Sequence, residues 1–216
     1  NKMSIEIINT AILATSFLLL FGLAEVLYHK MKVKVEMTRK LVHFGTGMLT
    51  LLFPVMLNNH WLVLFLCGSF ALILITSLKF GLLKSINAID RKSHGSILFP
   101  VAVYGCYLVY DYYNKKSGGA DHVYIYFYLP ILTLAICDPI AALFGKRFPY
   151  GKFKIGTDTK TLIGTTAFFV SSLTLSIAFL KWFCCDSLGL GDLLFVSSVV
   201  AILAALTEAV SGKGTD

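Results

Sequence analysis

The chain has 216 residues, of which 56% are hydrophobic and only 14% charged, with a mean hydropathy of +0.76. A soluble domain carries about 25% charged residues, so this composition excludes an ordinary soluble enzyme and points to a polytopic membrane protein. The net charge of +7 would suggest nucleic acid in a soluble protein. In a membrane chain the same excess marks cytoplasmic loops, and no nucleic-acid partner is expected.

A membrane-spanning helix needs about 20 apolar residues. Apolar runs at 5–28, 41–57, 61–78, 95–113, 122–144, 161–180 and 190–209 therefore predict an all-α bundle of about seven helices, forming one integral-membrane domain over 1–216. The first run is too long for a signal-peptide core, and no small-residue cleavage site follows it, so it is read as a retained span. The second is short, with Pro54 near its outer end. No run alternates as a membrane barrel strand does.

Basic residues divide between the two sides of this pattern. One set of connections holds Lys30, Lys32, Lys34, Arg39 and Lys40, then Lys79, Lys84, Arg91 and Lys92, then Lys146, Arg147, Lys152, Lys154 and Lys160, and finally Lys213. Only Lys2, Lys115, Lys116 and Lys181 fall on the other side. The positive-inside rule then places the N-terminus outside and the C-terminus in the cytosol. The five cysteines form no CxxC pair and mostly sit in predicted spans, where they act as small apolar residues. The chain stops at Asp216 just past an apolar helix, as a truncated chain would.

Three carboxylates, Glu25, Asp138 and Glu208, lie inside apolar runs near the ends that lead into basic loops. Each costs about 2.5–3.5 kcal/mol at bilayer depth. Acids beside lysine-rich loops suggest a site for a metal and a phosphorylated substrate at the membrane surface. Asp138-Pro139 precedes Gly145-Lys146-Arg147. Asp138 reads either as a packing acid paired with a lysine or as a hard-metal ligand, since Mg²⁺ takes one or two carboxylates plus substrate phosphates. Glu208 lies near the inner face, Asp216 about two turns beyond it. Glu25 is expected to pair with a base of the first inner loop.

The connection from Gly145 to Gly164 is rich in glycine, lysine and threonine. It fails as a Walker loop, because the spacing is too long and Phe153 stands where a hydroxyl must bind metal. At its end Lys160-Thr161 is expected to open the sixth span, with Gly164 one turn on. A helix N-terminus, a lysine and a hydroxyl would then face one anion. Arg39 and His43, four residues apart, share a face at the start of the second span, and Gly47 extends it. His43 reads as a base, a phosphate contact or a polar residue between helices. Arg91-Lys92-Ser93-His94-Gly95 enters the fourth span; Asp90 and His94 receive no role.

Together these residues resemble the integral-membrane lipid kinases: dolichol kinase, phytol and farnesol kinases, and the CTP-dependent diacylglycerol kinase, which are related to phosphatidate cytidylyltransferase. The resemblance runs from about Glu25 to the end. It is carried by Arg39-Lys40-x-x-His43 with Gly47, and by Gly95-x-x-x-Phe99-Pro100. Asp138-Pro139-x-Ala141-Ala142-x-x-Gly145-Lys146-Arg147, Lys160-Thr161-x-x-Gly164, and Glu208 followed by Gly-x-Asp216 complete it. Many of these kinases have serine at the position of Thr161. The cytidylyltransferases carry a Ser-Pro before the lysine that Thr157-Asp158-Thr159 lacks, which favours the kinase branch.

The resemblance implies transfer of the γ-phosphate of a nucleoside triphosphate, CTP, to a lipid alcohol, either an isoprenoid alcohol or diacylglycerol. It implies Mg²⁺ held by Asp138, Glu208 and Asp216, and a triphosphate cradled by Gly145, Lys146, Arg147, Lys152, Lys154, Lys160, Thr161 and Gly164. Arg39 and Lys40 would add charge, and a carboxylate or His43 would take the alcohol's proton. The implied setting is a bacterial plasma membrane or the endoplasmic reticulum, with the site facing the cytosol. The rival classes are phosphatidate cytidylyltransferase and a cation- or proton-coupled transporter. The latter calls for acids near the midplane, broken helices and repeat symmetry; here the acids lie at one face and no repeat is visible.

Overall fold

The structure, a computed structural model, describes residues 2–87, 95–155, 158–184 and 188–211. Helices occupy all seven apolar runs, and five segments are long and apolar enough to cross a membrane: Met3–His29, His60–Phe80, Asp121–Arg147, Leu162–Phe183 and Leu190–Val210. The protein is an all-α polytopic bundle with one small β-ribbon. It divides into two compact units, 1–115 and 116–216.

The first unit contains α1 (Lys2–His29), α2 (Val35–Thr50), the single turn α3 (Phe53–Met56), α4 (His60–Phe80), the single turn α5 (Lys84–Asn87) and α6 (Gly95–Ser117). Its core is aromatic. Phe17 packs on Phe70 with ring centres 4.8 Å apart, and Phe53 and Phe21 extend the stack edge-on. Pro54 sits in the first turn of α3, where its missing N–H costs nothing and the chain parts from α2. The carbonyls beyond this break cannot be left bare in a bilayer. The Asn9 side chain donates to Met56 O at 2.9 Å, and the Tyr107 hydroxyl donates to Leu57 O at 2.6 Å.

The second unit opens with a 3₁₀ turn at Asp121–Tyr124, followed by α7 (Ile125–Leu132), a π-helical turn at Thr133–Cys137 and α8 (Asp138–Arg147). These form one interrupted span. Strands β1 (Lys152–Ile155) and β2 (Asp158–Thr161) pair antiparallel, with Phe153 opposite Lys160 and Lys152 opposite Thr161. Helices α9 (Leu162–Cys184) and α10 (Leu190–Val210) complete the unit. Cys137, Ala141, Phe168 and Ala205 form its buried centre, so α8, α9 and α10 meet there. Tyr124, Tyr128, Phe179 and Phe183 cluster at the other end of the spans, an arrangement suited to a membrane–water interface.

The ribbon is the main departure from the sequence reading, in which 145–160 is a connection without strands. Lys152-Phe153-Lys154-Ile155 alternates charged and apolar residues, and the strand exposes the lysines while half-burying Phe153 and Ile155. Lys160 accordingly lies on β2, and the helix begins at Leu162.

Candidate functional site

In the second unit Asp138 heads α8 directly after the π-helical turn. Pro139 has no N–H to offer and its ring crowds the carbonyl four residues back, so a regular α-helix cannot run through this point. The widened turn accommodates that loss. Single π turns of this kind recur at functional sites because they release backbone groups and re-aim a side chain. Asp138 is half-buried, within the span and next to the buried Cys137. Gly145 follows seven residues later, about 10 Å along the axis.

At Gly145, α8 crosses the start of α9 at a separation only glycine permits. A methyl at Gly145 would lie 2.7 Å from Thr161 Oγ1, and one at Gly164 would lie 3.1 Å from the Ala141 carbonyl. The Thr161 hydroxyl accepts from Gly164 N at 3.1 Å, as the N-cap of α9. Leu162 N donates to Gly151 O at 3.0 Å, with Gly151 in the left-handed region at φ 64°. Two of the donors expected to meet an anion at this helix end are thus engaged within the protein. Gly145, Thr161 and Gly164 form the crossing itself.

Around this crossing Lys146, Arg147, Lys152 and Lys154 are exposed. Lys160 is not. Because residues directly opposite in an antiparallel pair share a face, Lys160 turns inward with Phe153, while Lys152 and Lys154 turn out. Its ammonium donates to Glu208 Oε1 at 2.7 Å, to the Glu208 backbone carbonyl, and to Ser211 Oγ at 3.2 Å. An ammonium has three hydrogens, so all are placed. The side chains are only 13% and 12% exposed, a burial that demands a paired charge. The lysine also sits at the C-terminus of α10, where a cation is favoured. Sequence reasoning put Lys160 toward phosphate and Glu208 toward metal; the structure joins them to each other. It also brings in Ser211, which the sequence reading passed over. The alternation at 152–155 was the available signal.

The first unit holds the remaining described residues. Arg39 and Lys40 are half-buried on α2. His43, also half-buried, packs edge-on against Phe99 of α6 with ring centres 5.8 Å apart, so two of the sequence motifs meet. Glu25 was expected to pair with a base of the first inner loop. Its Oε2 lies 3.1 Å from Nε2 of His29, the first residue past the predicted span and one turn further along α1, and its Oε1 also accepts from Ser85 N at 2.9 Å. Thr38 Oγ1 donates to Ser85 O at 2.6 Å. Both polar groups of one peptide position are therefore clamped, tying α5 to α1 and α2. No sequence pattern marked Ser85 for this part.

Asp90, Arg91, Lys92, Ser93, His94, Thr157, Lys213 and Asp216 lie outside the described residues. Among the described residues no three His, Cys, Asp or Glu side chains gather to cage a metal. Mg²⁺ bound through a nucleotide asks for less, one or two carboxylates with phosphate oxygens making up the rest. Asp138 and Glu208 supply the right donor chemistry, with the oxygen of Glu208 nearest Lys160 committed to it.

A polytopic helical membrane protein with a half-buried acid at a helix break, a lysine–glutamate pair and an exposed basic ribbon is the class these features define. No family model matches the chain, and no solved structure matches it. Among curated proteins it is similar to a phytol kinase of Synechocystis, with 27% identity over 195 residues, spanning 89% of this chain and 78% of that protein. That likeness supports a relationship with the phytol and polyprenol kinases.

Proposed function

We propose that this protein is a membrane lipid kinase that transfers the γ-phosphoryl group of CTP to an isoprenoid alcohol of the phytol type. The observation that carries the proposal is the likeness to a phytol kinase over nine-tenths of the chain, 89%. The geometry supports it with half-buried acids and exposed bases in one unit. In the reaction the alcohol oxygen bonds to the γ-phosphorus as the bond to the β-phosphate oxygen breaks, and the nucleoside diphosphate leaves. Such transfer rests on positioning and charge neutralisation.

Exposed Lys146, Arg147, Lys152 and Lys154 draw in the triphosphate. Lys160 exchanges its partner, giving up the Glu208 carboxylate for a phosphate oxygen. Asp138 and Glu208, with Asp216 as a further ligand, would then hold Mg²⁺. The ion would neutralise charge on the phosphates. A carboxylate of this unit takes the alcohol's proton. Gly145, Thr161 and Gly164 shape the strand-to-helix turn that aims Lys160. The site faces the cytosol, consistent with the basic loops lying on that side.

The test uses the purified chain in lipid nanodiscs with phytol, farnesol, dolichol and diacylglycerol, each with CTP or ATP labelled at the α or the γ position. Movement of γ label from CTP to an isoprenoid alcohol is the expected result. Transfer of α label would mark a cytidylyltransferase. No transfer to any alcohol from either nucleotide would overturn the proposal.

A further inference from the structure

We infer that Ser211 is a positioning residue for Lys160, whose hydroxyl keeps the ammonium in place when the Glu208 carboxylate gives way to a phosphate oxygen; this rests on the kinase reading above. Glu208 lies in the last turn of α10, and its backbone carbonyl is among those that a helix end leaves without an internal partner. Two donors meet that carbonyl: the Lys160 ammonium, and the Ser211 hydroxyl at 2.8 Å. Ser211 stands just past the helix and is held there by its own N–H, which donates to Thr207 O at 3.0 Å.

The chemistry of these groups fixes the direction of each bond. An ammonium has hydrogens and no lone pair, so the Ser211 oxygen, 3.2 Å from Lys160 Nζ, can only accept from it. The single hydroxyl hydrogen is then spent on the Glu208 carbonyl, which leaves a lone pair of Ser211 for the lysine. Carboxylate, carbonyl and hydroxyl thus hold three different hydrogens. Of the three acceptors the carboxylate is the one free to leave, because it hangs on a rotatable side chain. The carbonyl belongs to the helix, and the hydroxyl is bonded to that carbonyl. When the carboxylate turns away, two bonds remain, and they aim the third hydrogen at the place the carboxylate held. With the carbonyl alone, the ammonium would pivot about one contact at the tip of a flexible four-carbon stem. The Lys160 side chain is 13% exposed, so little water reaches it to replace a lost acceptor. Ser211 therefore preserves the direction in which Lys160 meets phosphate.

Two measurements test this role, and only one needs a working kinase. Reductive methylation of the nucleotide-free chain in nanodiscs, read by mass spectrometry, compares the rate at Lys160 with that at the exposed Lys181. Loss of one acceptor frees the amine for the reagent. Ser211→Ala is therefore expected to raise the relative rate at Lys160 about tenfold, the scale of one hydrogen bond to a charged group. Ser211→Thr keeps the hydroxyl and should restore the wild-type rate. An unchanged rate in Ser211→Ala overturns the inference. In the kinase assay with CTP and an isoprenoid alcohol, Ser211→Ala should raise the KM for CTP about tenfold and leave the KM for the alcohol as it was, with Ser211→Thr close to wild type. An unchanged KM for CTP, whatever the thermal stability, would make Ser211 a helix cap only and also overturns the inference. Should the wild type transfer no phosphate, the kinase reading fails, and the methylation rate still decides whether Ser211 fixes the ammonium.

Discussion

Lys160 and Glu208, 48 residues apart in sequence, are locked together where β2 meets the last turn of α10. The ammonium spends its three hydrogens on the Glu208 carboxylate, the Glu208 carbonyl and Ser211 Oγ. One residue thus closes a helix terminus, neutralises a buried acid and fixes the ribbon against the bundle. Under the proposed function the same contact sets a condition: a lysine without spare hydrogens would meet phosphate only by releasing what it holds, so donor binding would go with release of the carboxylate.

Breaking this pair from one side should therefore cost more than removing it. Lys160→Ala leaves Glu208 buried without a counter-charge, a loss of about 3–5 kcal/mol. Lys160→Met combined with Glu208→Leu removes both charges and should recover most of that stability. Thermal unfolding in detergent gives the comparison, and a double variant less stable than the single one would contradict it. Neither variant should transfer phosphate.

Asp138→Asn tests the other acid. The amide keeps the size of the side chain but loses the charge, so the protein should insert and unfold as the wild type does. Turnover should fall by about a hundredfold or more, the scale of losing one strong electrostatic contact to a transition state. The dependence of rate on Mg²⁺ concentration should weaken in parallel. Wild-type turnover would remove Asp138 from the site.

Much of this architecture could be read in advance, and the exceptions share a cause. Long apolar runs fix helix positions within a few residues because a bilayer fixes their length; α4, expected at 61–78, spans His60–Phe80. Buried acids announced that partners were needed, but not which ones. Glu25 meets Ser85 and Glu208 meets Lys160 across 60 and 48 residues, and separation of that order leaves no local pattern. The ribbon was missed for a different reason. Four residues of alternation at Lys152–Ile155 are outweighed by surrounding glycine and lysine, which read as loop. The face of Lys160 depended on that pleat.

Glu25 belongs to the scaffold on these contacts, and it should behave so. Glu25→Gln retains an oxygen to accept from Ser85 N and should be close to wild type in stability and turnover. Glu25→Leu strands that N–H in a buried place and should cost about 1–3 kcal/mol. Its remaining folded fraction should still bind nucleotide with unchanged affinity. A large activity loss in Glu25→Gln, with stability intact, would move this acid into the site.

The crossing of α8 and α9 offers a test by coupling. A methyl at Gly145 would sit 2.7 Å from Thr161 Oγ1, so Gly145→Ala must push that hydroxyl away from the Gly164 N–H it caps. Overpacking of this kind costs about 1–3 kcal/mol. Thr161→Ala forfeits the cap alone, at about 0.5–2 kcal/mol, while Thr161→Ser keeps it. In the double variant Gly145→Ala/Thr161→Ala the obstructing oxygen is already gone. The two costs should then fall short of adding, by about 0.5 kcal/mol or more, as expected for residues in direct contact. Unfolding of the four proteins in one detergent completes the cycle, and strict additivity would mean that the two residues do not share this crossing.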